Sequence, residues 1–252
     1  MITKKELETI AKLFSRKPWQ QEKHYIQTLI LIALADEPLI FKGGTYLWFF
    51  HGLDRFSEDL DFTVNGKISP NLLENVSRSL QYLGVVNRVK LAQPAHDDYS
   101  FRVSAEGPLH SSPYDLCYVY VDISQREKVI LKPIPCTLHT NPYLTPIKTI
   151  SGMDLIEIAS EKIRAIMSRE KARDVYDLFY LFQQGVQASI EMIEEKLSYY
   201  SLSFTKSAWD DAIGKKESLW VKELQPFIQS KLMPFESAVD GINEKLRSIL
   251  KA

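Results

Sequence analysis

The segment Phe41–Phe62, FKGGTYLWFFHGLDRFSEDLDF, gathers the residue types best suited to chemistry. It holds Lys42, the turn Gly43-Gly44-Thr45, then Arg55, Ser57 and the pair Asp59 and Asp61. Paired glycines let a backbone approach an anion closely, and the N–H groups of a helix that starts there attract oxyanions. Thr45 adds a hydroxyl to that turn. In a strand, alternate residues share a face, so Asp59 and Asp61 project together while Leu60 and Phe62 point into a core. Two neighbouring carboxylates repel each other unless a cation or solvent lies between them. A D-x-D pair alone also describes a solvated acidic strand end, and Gly-Gly turns are common. The specific signal is their joint occurrence, separated by one helix and a return.

A second acidic position comes from LCYVYVDISQ, where Val119, Val121 and Ile123 form an apolar face and Tyr118, Tyr120 and Asp122 the other. Asp122 is the third candidate carboxylate; Asp115, beside Pro113 in a loop, is a weaker substitute. Three acidic side chains suit octahedral Mg²⁺, which keeps some water and takes further ligands from substrate phosphates. Downstream, Lys162 falls on the apolar stripe Leu155, Ile158, Ala159 and Ile166. A buried amine needs a partner, so Lys162 either reaches phosphate oxygens or snorkels at the stripe's edge. Asp174 and Asp177 share one helix face with Leu178 and Leu181. One of them could pair with Lys162 or act as a base, or the two could belong to a local ion-pair set with Arg173. Arg164, Arg169, Lys171 and Arg173, with Lys162, form the best local basic patch for RNA or NTP phosphates. His24, His51, His96, His110 and His139 show no ligand spacing. Trp48, Phe49 and Phe50 read as packing for the helix after the glycine turn, and Trp209 and Trp220 as core.

These residues need positioning elements. Helical periodicity marks Glu6–Arg16 and Gln20–Ala35, with Pro18 placed to start the second helix. Short strands follow at PLIFKG, DLDFTV, VVNRVKLA, YSFRVSA, YVYVDIS and VILKPIP, with a helix at NLLENVSRSLQYLG. After Pro146 the strands are expected to stop, and helices take over at MDLIEIASEKIRAIMSR, ARDVYDLFYLFQQG, IEMIEEKLSYY and ESAVDGINEKLRSIL. The expected class is α+β: a mixed-sheet domain with an N-terminal helical pair over residues 1–145, then an all-helical domain over 146–252, joined through the prolines between 133 and 146.

With 252 residues and 45% hydrophobic content, there is enough apolar material for such cores. A formal net charge of -1 excludes a global basic field, so a polyanion must be met by a local patch. Cys117 and Cys136 form no C-x-x-C or zinc pattern, which fits a reducing cytoplasm. The charged, amphipathic start reads as neither a signal peptide nor a membrane span, and the absence of heptads leaves a monomer as the default.

The pattern K-G-G-T-x-L followed by R-x-S-x-D-L-D-F resembles the AbiEii/AbiGii group of nucleotidyltransferase toxins, in the DNA polymerase β-like superfamily. The matching residues are Gly43, Gly44, Thr45, Arg55, Ser57, Asp59 and Asp61. The later E-K-I-R-A and R-D-V-Y-D-L segments match that group's Lys and Asp motifs at Lys162, Asp174 and Asp177, so the likeness runs from about residue 36 to 182. It implies a polymerase β-like nucleotidyltransferase sheet domain, an NTP donor, Mg²⁺ dependence, an antitoxin partner and a role in abortive infection and phage defence. It also implies the 3′ end of tRNA as acceptor. A protein or small-molecule acceptor, and a non-catalytic interaction protein, are the rival readings.

Overall fold

Thr3 and Glu6 form a reciprocal capping box that starts α1 (Lys4–Leu13). Pro18, with φ already suited to a first helical turn, opens α2 (Pro18–Leu34). The chain then enters β1 (Leu39–Lys42), α3 (Gly43–Phe50) and β2 (Leu60–Val64), followed by α4 (Leu72–Tyr82) and the strands β3 (Asn87–Leu91), β4 (Tyr99–Ala105) and β5 (Cys117–Ser124). Two more strands, β6 (Ile134–Leu138) and β7 (Lys148–Gly152), precede α5 (Leu155–Ser168), α6 (Ala172–Gln183), α7 (Ile190–Ser198), α8 (Lys206–Gly214), α9 (Trp220–Leu224) and α10 (Phe235–Ile249). The computed structural model describes residues 1–92, 98–138, 142–228 and 230–249; His96 and His139 lie outside them.

The chain forms two compact units. The first takes Met1–Tyr46, Glu58–Val129 and Pro133–Gly152; the second takes Leu47–Ser57, Ile130–Lys132 and Met153–Ala252. In the first, the strands make one mixed sheet in the order β3-β4-β5-β2-β1-β7-β6. β2 lies parallel to β5 and antiparallel to β1, which brings the D-x-D strand beside the strand of Asp122. One sheet face is apolar: Leu60, Val119, Val121, Ile123, Phe101 and Val103 have no exposed surface. α2 packs on β5 and α4, and α4 on β3, completing that core. In the second unit α5 packs against α6, α7 and α8. Trp209 and Trp220 are core residues there, 0% and 2% exposed. The class is α+β, as the periodicities imply.

Two expectations about strands need correction. The strand expected over VILKPIP lies further on, at Ile134–Leu138. The N–H groups of Ile130 and Leu131 are instead taken by the Glu157 carboxylate at 2.9–3.1 Å. Pro135 is tolerated in β6 because that strand is a sheet edge. Nor do strands stop at Pro146: β7 pairs antiparallel with β6 and parallel with β1. Its five residues carry too short an alternation to stand out among the prolines around it. Among the described residues no helix is long and apolar enough to cross a membrane.

Candidate active site

The candidate residues fall into two clusters, one within each unit. In the first, β1 delivers Lys42 directly opposite Asp61 of β2, and Gly43 follows at the start of α3. Gly43 has φ +76°, and a Cβ built there would sit 2.5 Å from Asp61 Oδ2. The glycine is thus required twice, for the left-handed backbone and for the room the Asp61 carboxylate occupies. Thr45, fully buried, donates its hydroxyl to the Asp59 carbonyl, and Gln27 donates to the Glu58 carbonyl at 2.9 Å. These two bonds fix the backbone just before β2.

Asp61 is the register partner of Asp122 on β5, and Ser100, opposite Asp122 on β4, donates its hydroxyl to Asp122 Oδ1. The Asp59 carboxyl is raised to about 6, first by burial and then by Asp61, with Glu58 and Asp122 adding to the push and Lys23 opposing it. Lys23 itself pairs with Glu58 at 3.1 Å. Lys42 pairs with buried Glu127 at 3.1 Å.

The donor set fits a hard divalent cation. It is all carboxylate oxygen and lies beside a helix start, and burial first, then Asp61, raises the Asp59 carboxyl to about 6. Among the described residues no three His, Cys, Asp or Glu side chains converge as a formed coordination shell. Asp61 and Asp122 sit on paired strand positions, with Asp59 one residue before β2. Asp115 belongs elsewhere: it accepts from Ser111 and Ser112 within its own loop, which holds its carboxyl well below the usual range.

The second cluster is an ion-pair network. Arg55 grips Asp177 with two parallel hydrogen bonds, Nε to Oδ1 at 2.6 Å and Nη2 to Oδ2 at 2.7 Å. Lys162 Nζ lies 2.6 Å from Asp177 Oδ2 and donates to Asp174 Oδ1 at 2.9 Å. Arg169 adds a second fork to Asp174, at 2.8 and 2.9 Å. The amine on the apolar stripe of α5 therefore has its partners on α6. Burial pushes both carboxyls up, yet Lys162 and Arg169 hold Asp174 well below the usual range, and Arg55 and Lys162 hold Asp177 low.

Arg55 is placed by an antiparallel bridge to Ile228, and the Phe56 N–H donates to the Phe227 carbonyl at 2.8 Å; Ser57, next in the chain, is buried. Of the basic patch, Arg164 stacks over the Tyr200 ring at 4.5 Å, Arg169 is committed to Asp174, and Lys171 is exposed at the start of α6 beside half-buried Arg173. Sequence reasoning missed Ser100, Lys23, Gln27 and Glu127. Strand pairing or tertiary packing brings each of them in, and none carries a spacing that would mark it.

The sequence profile of the nucleotidyl transferase AbiEii toxin of type IV toxin–antitoxin systems matches residues 26–246. No curated protein matches the chain. Among solved structures, JHP933 from Helicobacter pylori is similar at 21% identity, with 92% of each chain covered and a TM-score of 0.62. A putative nucleotidyltransferase from H. pylori gives 20% identity, covering 91% of this chain and 93% of that one, with a TM-score of 0.61. MenT4, a nucleotidyltransferase toxin from Mycobacterium tuberculosis, gives 16% identity over all of this chain and 91% of its own, with a TM-score of 0.61. At these identities the structural likeness speaks for the fold, while the profile, spanning most of the chain, speaks for the family. The protein belongs to the AbiEii family of nucleotidyltransferase toxins and is a nucleotidyltransferase.

Proposed function

We propose that this enzyme transfers a nucleoside monophosphate from an NTP to the 3′ hydroxyl of an RNA, with tRNA as the acceptor class, using Mg²⁺ held by Asp59, Asp61 and Asp122. The observation that carries the reading is the carboxylate cluster packed against the Gly43 turn, where Asp61 lies opposite Asp122 and its Oδ2 fills the room a Cβ at Gly43 would need. The acceptor oxygen forms a bond to the NTP α-phosphorus as the bond to the leaving pyrophosphate breaks, and the hydroxyl proton passes to water. Bound Mg²⁺ supplies charge stabilisation at the attacking and leaving oxygens. The backbone at Gly43 and Gly44 receives phosphate oxygens at the start of α3. Ser100 orients Asp122, and Thr45 and Gln27 hold the strand entrance that presents Asp59.

We assign Arg55, Lys162, Asp174 and Asp177 to positioning. A carboxylate pinned by several cationic donors and held below the usual range is a poor base, whereas the network locks α5, α6 and the segment of Arg55 and Ser57 together. A cytoplasmic location and a cognate antitoxin fit the family. The test is incubation with Mg²⁺, each α-labelled NTP in turn and total bacterial tRNA, with Asp61→Asn beside the wild type. Label in RNA that disappears in the variant supports the reading. Label on protein or in a small product moves the acceptor to that class, and label retained in full by the variant overturns the metal assignment.

A further inference from the structure

The sheet face that carries Asp61 and Asp122 continues past them. Residues directly opposite each other on paired antiparallel strands share a face, so the register lays out transverse rows. The first row runs Asp61, Asp122, Ser100; the second Tyr120, Arg102, Lys90; the third Tyr118, Ser104, Arg88. Successive rows lie about 7 Å apart along the strands. On β5 the apolar side chains Val119 and Val121 are fully buried on the other face, whereas Tyr118 and Tyr120 are 39% and 41% exposed. Arg88 and Lys90 are exposed, and the half-buried Arg102 guanidinium lies 5.0 Å from the centre of the Tyr118 ring. The second and third rows thus hold two accessible aromatic rings and three cations, with no carboxylate across β5, β4 and β3, and they lead up to the acidic row.

We propose that this face is an acceptor platform for a single-stranded RNA end. Unpaired bases stack on Tyr118 and Tyr120, Arg102, Lys90 and Arg88 meet the phosphates, and the terminal hydroxyl runs toward Asp122. The proposal rests on the reading of the enzyme as an RNA nucleotidyltransferase and gives it a substrate-binding surface. Charge complementarity selects a polyanion, and the tyrosines select one whose bases are unpaired. In a duplex the base faces are already stacked and out of reach of a sheet surface.

The test uses the full chain and a short 5′-fluorescein oligo(A) RNA with a free 3′ hydroxyl, followed by fluorescence anisotropy across a salt series. Tyr118→Ala and Tyr120→Ala each weaken binding by about fivefold to a hundredfold, whereas Tyr118→Phe and Tyr120→Phe, which keep the ring, stay within about twofold of wild type. Arg88→Ala and Lys90→Ala each lower the slope of log affinity against log salt by about 0.7. Thermal melts confirm that the variants are folded. Unchanged RNA affinity in folded Tyr→Ala variants, equal competition by duplex RNA, or no RNA binding by the wild type overturns the platform. Labelling of RNA by the wild type alongside an inert tyrosine series rejects the platform and leaves the enzymatic reading intact. Tyrosine-dependent RNA binding without any transfer leaves an RNA-binding face but rejects RNA as acceptor, and with it the run of the terminal hydroxyl to Asp122.

Discussion

Asp59 is half-buried and Asp174 buried, and burial raises the carboxyl pKa of each, yet they end on opposite sides of the ordinary range. Asp59 rises to about 6 through burial first and then Asp61, with Glu58 and Asp122 adding to the rise and Lys23 opposing it. Asp174 falls well below the usual range because Lys162 and Arg169 outweigh its burial. Burial raises both, and the sign reverses only where neighbouring cations outweigh it. The Lys162 network is electrostatically complete and holds helices together. The Asp59 cluster gathers like charges instead, an arrangement that a bound cation or substrate would stabilise.

The largest expected effect comes from breaking the complete network. Asp177→Ala leaves Arg55 and Lys162 buried beside one lost partner. The loss should be about 3–5 kcal/mol, a fall in Tm on the order of 10 °C for a chain of this size. Differential scanning calorimetry reads it directly. A Tm within a degree or two of wild type would show that the network is not what holds α5 to α6.

Next in size is the opposite experiment on the acidic cluster. Asp61→Asn should reduce nucleotide transfer by about a hundredfold or more, the scale of losing one principal electrostatic group, while Tm stays level or rises because a like-charge repulsion has gone. Gly43→Ala should match that loss of transfer but lower Tm, since the added Cβ needs the space of Asp61 Oδ2 and the backbone has φ +76°. Loss of stability in Asp61→Asn would place Asp61 with the structural aspartates and erase the contrast. Turnover assays and melts on the same preparations separate the two cases.

How much of this contrast was legible in the sequence follows from its physical origins. The period of two that strands impose separates Asp61 and Asp122 from the apolar face, whereas Asp59 lies one residue before β2, and Lys162 betrayed its need for a partner by sitting on an apolar stripe. The glycine turn marked the approach to Asp61. What could not be read was which strands lie side by side: the parallel pairing of β2 with β5 places Asp61 next to Asp122 across a sequence gap with no local signature. Ser100, Lys23 and Glu127 escaped notice for the same reason. β7 and α8 were missed because both are short, the first among prolines and the second started by a single Thr205 cap.

pH acts in opposite directions on the two clusters, and Mg²⁺ acts on one of them. For Asp59, the raised folded pKa means that its favourable contribution is present in full below 3.8 and is lost as pH rises through about 6. The shift bounds the effect at about 3 kcal/mol, and partial exposure reduces it to on the order of 1 kcal/mol. For Asp174 and Asp177 the folded pKa is depressed, so their contribution is present above about 3.8 and is lost as pH falls further. Mg²⁺ should therefore raise Tm above pH 6, progressively less toward pH 4, and not at all in Asp61→Asn. A Mg²⁺ response that is flat with pH, or retained in the variant, would place the cation elsewhere.

The smallest expected effect lies between the two extremes and tests the rule itself. Glu22 is 6% exposed and accepts the Leu109 N–H at 2.6 Å. Burial raises its carboxyl, the Leu109 bond and His110 oppose the rise, and Asp115 adds to it. It is a buried carboxylate answered by a peptide hydrogen bond where Asp174 is answered by cations. Its contribution is full below the unfolded value of 4.5 and is lost as pH rises through the raised folded value. Glu22→Gln keeps an oxygen that can accept from Leu109 and removes the buried charge, so it should stabilise the fold at pH 7 by less than about 1 kcal/mol, or a degree or two in Tm. The gain should vanish below pH 4.5, where wild-type Glu22 is already neutral in both states. Destabilisation at pH 7 would show that one well-placed peptide N–H stabilises a buried carboxylate enough to offset its desolvation, and the contrast between Asp59 and Asp174 would then rest on hydrogen-bond geometry as much as on net charge.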